Sequence, residues 1–328
     1  MSRILMRPPA ILLTGLLLLL GAAPAAASVA GAQCLQIPPG ARANGLGEAS
    51  VALADDATAA WWNPAGLSFM RGRTLGLMHS KLLAGFDIDD IYYEYAGWVH
   101  HLEGVGTYGI SFIFLNYGES PITSDSPDVE GYFSSYEFAP VLSYGLQLDD
   151  NTAVGVSIKY VRVDLAPAHA VHDPGAGEGA GSSVAVDVGV LRRFGRLSLG
   201  AAATNWGPNI SFINEEQSDP MPRHLKAGAV YTFYEGDYGV GIVNLDVNQM
   251  VVSGGPFTAG GGTEFQYMDL MALRVGYVYD PDGYIEDWTF GGGFHVNLSG
   301  RDFYFDYASI PQYEDLDRVH RFSFEMHF

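Results

Sequence analysis

The sequence predicts an all-β fold: a 14-stranded antiparallel transmembrane β-barrel with a small N-terminal hatch or plug. Three observations carry this reading. Apolar residues alternate with small or polar ones at period two from about residue 74 to 328, the strand period rather than the helical one. The connections fall into a short class and a long class that take turns along the chain. Only 16% of the 328 residues are charged, 13% are aromatic and 41 are Gly, a composition odd for a soluble enzyme and unlike a disordered chain.

The first 30 residues read as a signal peptide. Arg3 and Arg7 precede an apolar run over 11–20, and Ala25-Ala26-Ala27 or Ser28-Val29-Ala30 offers a cleavage point. The apolar core is too short to cross a bilayer as a helix, and nothing later approaches 18 consecutive apolar residues. Cleavage after Ala30 removes two Arg and no acid, so the formal charge of −20 becomes −22. With 37 Asp and Glu against 17 Lys and Arg, nucleic acid is a poor partner. Cys34 is the single cysteine, which excludes an intrachain disulfide and any CxxC site. Gln33 before it spoils the small-residue site that lipid attachment expects, so Cys34 reads as a free thiol.

Residues 31–70 are expected to form the hatch. Small residues dominate 40–68, with Gly45 and Gly47 closely spaced. A short helix is expected from Asp55 or Asp56 to Trp62, with Asp55 as N-cap and Pro64 and Gly66 ending it. Ala and Gly at this density let backbone pack closely inside a narrow lumen.

Residues 71–328 are expected to form the outer-membrane barrel. Strands are placed near 74–79, 91–99, 107–117, 134–148, 152–164, 182–194, 196–204, 222–234, 237–248, 257–267, 269–280, 287–297, 301–308 and 318–328. Short connections near 101–106, 149–151, 194–196, 235–237, 268–269 and 299–300 alternate with long ones at 80–90, 118–133, 165–181, 205–221, 250–256, 280–286 and 309–317. A barrel with tight periplasmic turns and longer outer loops has this asymmetry, whereas a Greek-key sandwich has no reason to sort its loops. About 18 residues per strand and turn allow a tilted strand of roughly ten residues.

The alternation also orients the wall. Val184, Val186, Val188 and Val190 oppose Ala185, Asp187 and Gly189, and Phe322, Phe324, Met326 and Phe328 oppose Arg321, Ser323, Glu325 and His327. Faces rich in Val, Phe and Tyr are expected to meet lipid, because Lys or Arg there costs roughly 2–4 kcal/mol at mid-membrane. Lys159, Lys226, Arg274, Arg321 and Glu325 then point into the lumen or lie near an interface. One strand fits poorly: Val240 and Ile242 share a face with Asn244 and Asp246, and a bulge between them would repair the pattern. The stretch 108–117 is apolar on both faces, making Phe112 and Phe114 candidate lining of a hydrophobic pocket or simply a lipid contact opposite the hatch-facing Ile113 and Leu115.

These motifs carry a family resemblance. Gly40-Ala41-Arg42, Gly45-Leu46-Gly47, Ala54-Asp55-Asp56-Ala57 and Trp62-Asn63-Pro64-Ala65-Gly66-Leu67 resemble the N-terminal hatch of the PorV/PorQ family, a shorter relative of FadL-type outer-membrane transporters. Asn205-Trp206-Gly207-Pro208-Asn209-Ile210-Ser211-Phe212, the run from Gln217 to Lys226 and Gly131-Tyr132-Phe133-Ser134-Ser135-Tyr136 are further matches. The resemblance implies a FadL-like barrel in the outer membrane of a Gram-negative-type bacterium, surrounded by lipid and lipopolysaccharide. It implies a non-enzymatic component of type IX protein secretion, with the translocon or cargo C-terminal signal domains as partners. The alternative it implies is a channel for long-chain fatty acids or other hydrophobic small molecules. The terminal Phe328 suits the C-terminal aromatic residue usual in proteins inserted by the outer-membrane assembly machinery.

Candidate chemistry is sparse. There is no GxSxG elbow, HExxH, Walker loop or GxGxxG after a strand, so no catalytic residue, metal or cofactor is expected. His100-His101 falls in an expected short turn, and His169, His172 and Asp173 share an expected long loop. Asp280-Pro281-Asp282-Gly283, with Glu286 and Asp287, reads as a hairpin turn at an acidic rim. Trp61-Trp62 is expected to bury the hatch against the wall. The Gly triplets 260–262 and 291–293 are expected to give curvature and close approach of the hatch.

Overall fold

A computed structural model describes residues 30–83, 90–123, 129–167, 179–212, 218–252, 255–313 and 316–328. Nearly all of the expected signal segment, together with His169, His172, Asp173 and Gln217, lies outside the described residues. Fourteen of the described strands close into one antiparallel barrel. They are β1 (Arg73–Lys81), β2 (Ile91–Leu102), β3 (Gly106–Thr123), β4 (Val129–Gln147), β5 (Thr152–Ala166), β6 (Gly179–Phe194), β7 (Leu197–Trp206), β10 (His224–Gly236), β11 (Gly239–Met250), β12 (Phe257–Tyr267), β13 (Met271–Asp280), β14 (Ile285–Leu298), β15 (Arg301–Ile310) and β16 (Val319–His327). Between β7 and β10, β8 (Ile210–Ser211) and β9 (Ser218–Asp219) form a separate two-stranded ribbon.

Sequence neighbours pair around the ring and β1 closes on β16. At the seam, Arg73 and Phe328 exchange both backbone hydrogen bonds at 2.9 Å. The alternation sorts the wall as expected: Val184, Val186, Val188 and Val190 are exposed outward, while Ala185 and Asp187 are fully buried inward. Aromatic pairs flank the outer surface, with Trp98 and Phe328 (ring centroids 5.3 Å) near the short-turn rim and Tyr277 and Trp288 (5.4 Å) toward the long-loop rim.

Two features differ from the sequence reading. The β3–β4 ladder continues well into the stretch 118–133, pairing Pro121 with Tyr132, where a loop is expected. Its register shifts between Asn116 and Glu119, where Gly118 takes φ +81° and the Asp90 carboxylate accepts the Glu119 N–H at 2.9 Å. The added twist lets two polar strands rise beyond the ring. The irregularity beside β11 lies not within that strand but in its partner: Phe233 of β10 is the extra residue, so Thr232 pairs with Ile242 and Tyr234 with Gly241. Ile242 therefore faces inward with Asn244 and Asp246, and its apolar side packs on Ala52, Leu53 and Val230.

The N-terminal segment fills the lumen. It contains short 3₁₀ turns at Gln33–Leu35 and Pro64–Phe69 and two short helices, α1 (Ala41–Gly45) and α2 (Ala59–Trp62). Packing is asymmetric. Toward β1–β6 the hatch makes a largely apolar interface, with Leu35, Trp62 and Leu67 buried in one cluster with Tyr93, Tyr95, Ile113, Leu115, Val141 and Val161. Toward β11–β16 polar and charged contacts predominate, beside two small apolar clusters at Ala41 and Ala52. The β8–β9 ribbon folds over the long-loop end: Ile210 is fully buried, and Gly31 donates to the Pro220 carbonyl at 3.0 Å.

A candidate functional site in a plugged lumen

The hatch docks through backbone, which explains its glycines. Gly47 has φ +72°, and a Cβ there would stand 2.4 Å from the Gly261 carbonyl oxygen. From the wall side, a Cβ on Gly260 would fall 1.8 Å from the Gly47 oxygen, and one on Gly276 2.2 Å from the Gly47 nitrogen. The Gly45-Leu46-Gly47 segment thus lies directly on β12–β14. Thr289 fixes it, accepting the Gly47 N–H at 3.0 Å and donating to the Gly45 carbonyl at 3.2 Å.

The Asn-Pro-Ala element docks on the opposite wall. Asn63 is extended (φ −160°) and accepts the Ala65 N–H at 3.1 Å, with Pro64 at the first position of the 3₁₀ turn. Pro64 therefore begins a turn as well as ending α2. The Asn63 amide also donates to the Val51 carbonyl at 2.9 Å and to the Val190 carbonyl of β6 at 3.1 Å. Gly155 and Gly189 are cross-strand partners beneath it, and Gly66 abuts the Ala54 carbonyl. The expected N-cap is not Asp55. Asp56 accepts the Thr58 N–H at 2.7 Å ahead of α2, whereas Asp55 pairs with Arg42 at 2.6 Å.

Acidic wall residues latch the hatch. Asp246 accepts the Ser50 and Val51 N–H groups, Asn244 donates to the Ala49 carbonyl, and Glu325 accepts the Ala57 N–H at 2.7 Å. Arg42 reaches Glu264 at 2.8 Å, and Arg274 bridges Glu264 and Asp306 at 2.5 Å each. Arg321 donates to the Pro38 carbonyl at 2.7 Å and to the Asn44 side chain. Burial, reinforced by Glu325 and Asp55, pushes the half-buried Asp56 carboxyl up to about 7.

A further anchor escaped the sequence reading as a unit. Lys159 of β5 pairs with Asp187 of β6 at 2.8 Å and donates to the Asn205 Oδ1 at 2.7 Å, all three fully buried. Asn205, the penultimate residue of β7, has φ +62°, donating its N–H to Asp187 at 2.7 Å and its amide to the Pro222 carbonyl at 2.9 Å. The inward parity of Lys159 and Asp187 was the available signal.

Two inner cavities border the hatch among the described residues. One, of about 280 Å³, lies toward the short turns and is lined by Arg42, Asp56, Glu264, Arg274, Tyr304 and Glu325, among others. The other, of about 180 Å³, lies toward the long loops and includes Glu48, Trp61, His224, Lys226 and Asp246 in its lining. Phe112 and Phe114 point outward and line a hollow of about 670 Å³ on the outer wall with Leu77, Tyr92, Ala96 and Phe322. Trp61 and Trp62 are buried edge-to-face at 4.6 Å. His101 contacts Thr107 at 2.9 Å, and Asp280 accepts the Gly283 N–H at 3.0 Å in its turn. Among the described residues, no three His, Cys, Asp or Glu converge to hold a metal.

A 14-stranded barrel of outward apolar face, with an N-terminal hatch in its lumen, defines an outer-membrane barrel of FadL-like fold. More particularly, the chain belongs to the PorV family, whose model, described as type IX secretion system protein PorV, matches residues 25–257. That span runs from ahead of the hatch to the start of β12. Solved structures share the architecture at low identity. The Pseudomonas putida toluene transporter TodX matches with TM-score 0.59 and 14% identity, over 88% of this chain and 96% of that one. The Ralstonia pickettii toluene transporter TbuX gives 0.56, 14%, 88% and 98%, and a Pseudomonas aeruginosa FadL homologue 0.54, 13%, 88% and 97%. No curated protein matches the chain.

Proposed function

We propose that this PorV-family barrel serves type IX secretion without enzymatic chemistry, binding translocon partners or cargo C-terminal signal domains through its long loops and rim. The match of the family over 25–257 carries the reading. The occupied lumen supports it, since the hatch packs against the wall throughout β1–β6 and β11–β16 while the β3–β4 ladder extends the long-loop rim. In this reading the chain is exported with cleavage after Ala30, and Phe328 serves as the barrel-assembly signal. Deleting the gene in its type IX-competent host should strand signal-domain cargo inside the cell envelope, and an affinity-tagged copy should retain that cargo or translocon components. Normal surface delivery of cargo in the deletion strain would count against the role.

A second reading, passage of hydrophobic small molecules, is favoured by one observation. The wall around Leu77, Met78 and Tyr95 borders both the short-turn cavity and the outer hollow at Phe112 and Phe114. Replacing Asn63-Pro64-Ala65 by Ala-Ala-Ala should then change uptake of a hydrophobic probe in proteoliposomes. Unchanged uptake would remove this reading.

A further inference from the structure

We propose that the long-loop cavity is a binding site for a small zwitterion, a molecule carrying one ammonium and one carboxylate, in the size class of a free amino acid. The inference is independent of the secretion role. Its first basis is that Lys226 and Glu48, of opposite charge, face one cavity without an ion-pair or hydrogen-bond partner among the described residues, while the Asp246 and Asp280 carboxylates that also line it each accept backbone N–H groups. Lys226 projects inward from β10 and is only 8% exposed, with its Nζ 3.8 Å above the Trp61 ring and 5.6 Å from that of Trp62. No carboxylate among the described residues lies within 4.0 Å of it. Glu48, on the hatch, lines the same cavity, and its carboxylate has no hydrogen-bond or ion-pair partner among the described residues.

Most buried cations of the lumen have a carboxylate in contact. Lys159 is matched by Asp187, Arg274 by Glu264 and Asp306, and Arg42 by Asp55 and Glu264. Arg321 and Glu137, which also lack an ion pair, are instead held by hydrogen bonds to Pro38 and Asn44 and from Cys34 and Tyr117, whereas the Lys226 ammonium and the Glu48 carboxylate face one cavity with neither kind of partner among the described residues. Buried charge without a partner is costly, so the arrangement is completed by a ligand presenting the opposite sign to each wall. A ligand of one charge would satisfy one wall and face repulsion or desolvation at the other. Two further buried polar atoms, Asp246 Oδ1 and Trp61 Nε1, have no partner on residues that line this cavity.

The remaining lining sets the size and class. Trp61, Trp62, Val51 and Met250 supply aromatic and apolar surface for a short side chain. At about 180 Å³ the space is smaller than the roughly 300–1,000 Å³ of drug-sized sites. The lysine is already seated on an aromatic face, which holds its ammonium in place while leaving its protons for a carboxylate.

The test uses the full mature barrel purified in detergent, with equilibrium dialysis of radiolabelled L-leucine as readout and tryptophan fluorescence in parallel. Isocaproate and isoamylamine, which match leucine in carbon skeleton but carry one charge each, serve as comparison ligands. L-leucine should bind saturably and at least ten-fold more tightly than either. Lys226→Met and Glu48→Gln should each weaken leucine at least ten-fold while the barrel keeps its heat-modifiable gel migration. Should Lys226→Met fail to fold, Glu48→Gln on the hatch decides alone. Absence of saturable binding by glycine, leucine, glutamate and lysine, equal binding of the single-charge analogues, or full binding by folded Glu48→Gln would each overturn the proposal.

Discussion

Asp246 and Val51 are 195 residues apart in sequence, yet the carboxylate of the first accepts the amide proton of the second at 2.7 Å. The same oxygen accepts Ser50 N–H at 2.6 Å, and Asn244, two residues earlier on the same inward face, holds the Ala49 carbonyl. Asp246→Ala leaves two buried amides without an acceptor, at about 1–3 kcal/mol each. The barrel ladder does not depend on this side chain, so the variant should fold and keep its strand content while the hatch loosens. Planar-bilayer recording should show larger or more frequent openings than wild type, with Asp246→Asn intermediate. A variant as closed as wild type would show that the hatch is held by other contacts.

Glycines under the Asn-Pro-Ala element give a second expectation. A Cβ on Gly155 would lie 2.2 Å from the Pro64 carbonyl carbon, whereas one on Gly292, which faces outward, would find nothing nearer than 3.8 Å. Gly155→Ala should therefore overpack the interface, a change that typically costs about 1–3 kcal/mol. Gly292→Ala should be tolerated. The temperature at which the folded gel band is lost, compared across the two variants, checks this difference.

The wall was legible in the sequence because lipid outside and a packed hatch inside impose opposite chemistry on alternate residues. Val184 to Val190 and Phe322 to Phe328 show that alternation directly. The hatch was legible from its small residues and from Asn63-Pro64, whose cap geometry is local. The latches were not, because Asp246 and Glu325 bind backbone amides, which carry no side-chain signature in the hatch sequence. The misfit at Val240 and Ile242 arose for a similar reason: the extra residue is Phe233 on the neighbouring strand, and a period count within β11 cannot register it. The cap falls one residue later than expected, because Arg42 of the hatch occupies the Asp55 carboxylate and leaves Asp56 to accept the Thr58 amide, a contact that spacing along the chain does not reveal.

The buried Lys159–Asp187 pair should be far more sensitive than any surface ion pair. Removing one partner leaves the other charge buried and uncompensated, at about 3–5 kcal/mol. Lys159→Met should thus lower the unfolding midpoint in urea sharply, and it also strips Asn205 of a donor at the end of β7. Combining it with Asp187→Leu removes the orphan charge and should recover part of the loss. If the double variant is no more stable than Lys159→Met alone, the hydrogen bonds of Asn205 stabilise this corner more than the ion pair does.

Asp56 makes the hatch sensitive to pH. Burial, with Glu325 and Asp55 adding repulsion, holds its carboxyl at about 7, above the ordinary 3.8 of an aspartate. Because the value is raised in the folded state, the folded protein binds the extra proton between these two limits, and stability falls as pH rises through that window. The penalty is complete above about pH 7 and is relieved on acidification toward 4. Wild-type protein should accordingly hold its hatch more firmly at pH 5.5 than at pH 8, read as lower conductance and slower proteolysis of residues near Asp56. Asp56→Asn removes the titrating group while keeping an oxygen for the Thr58 amide, so its hatch should be as firm at pH 8 as wild type is at pH 5.5. A wild type with equal conductance at the two pH values would exclude Asp56 as the sensor.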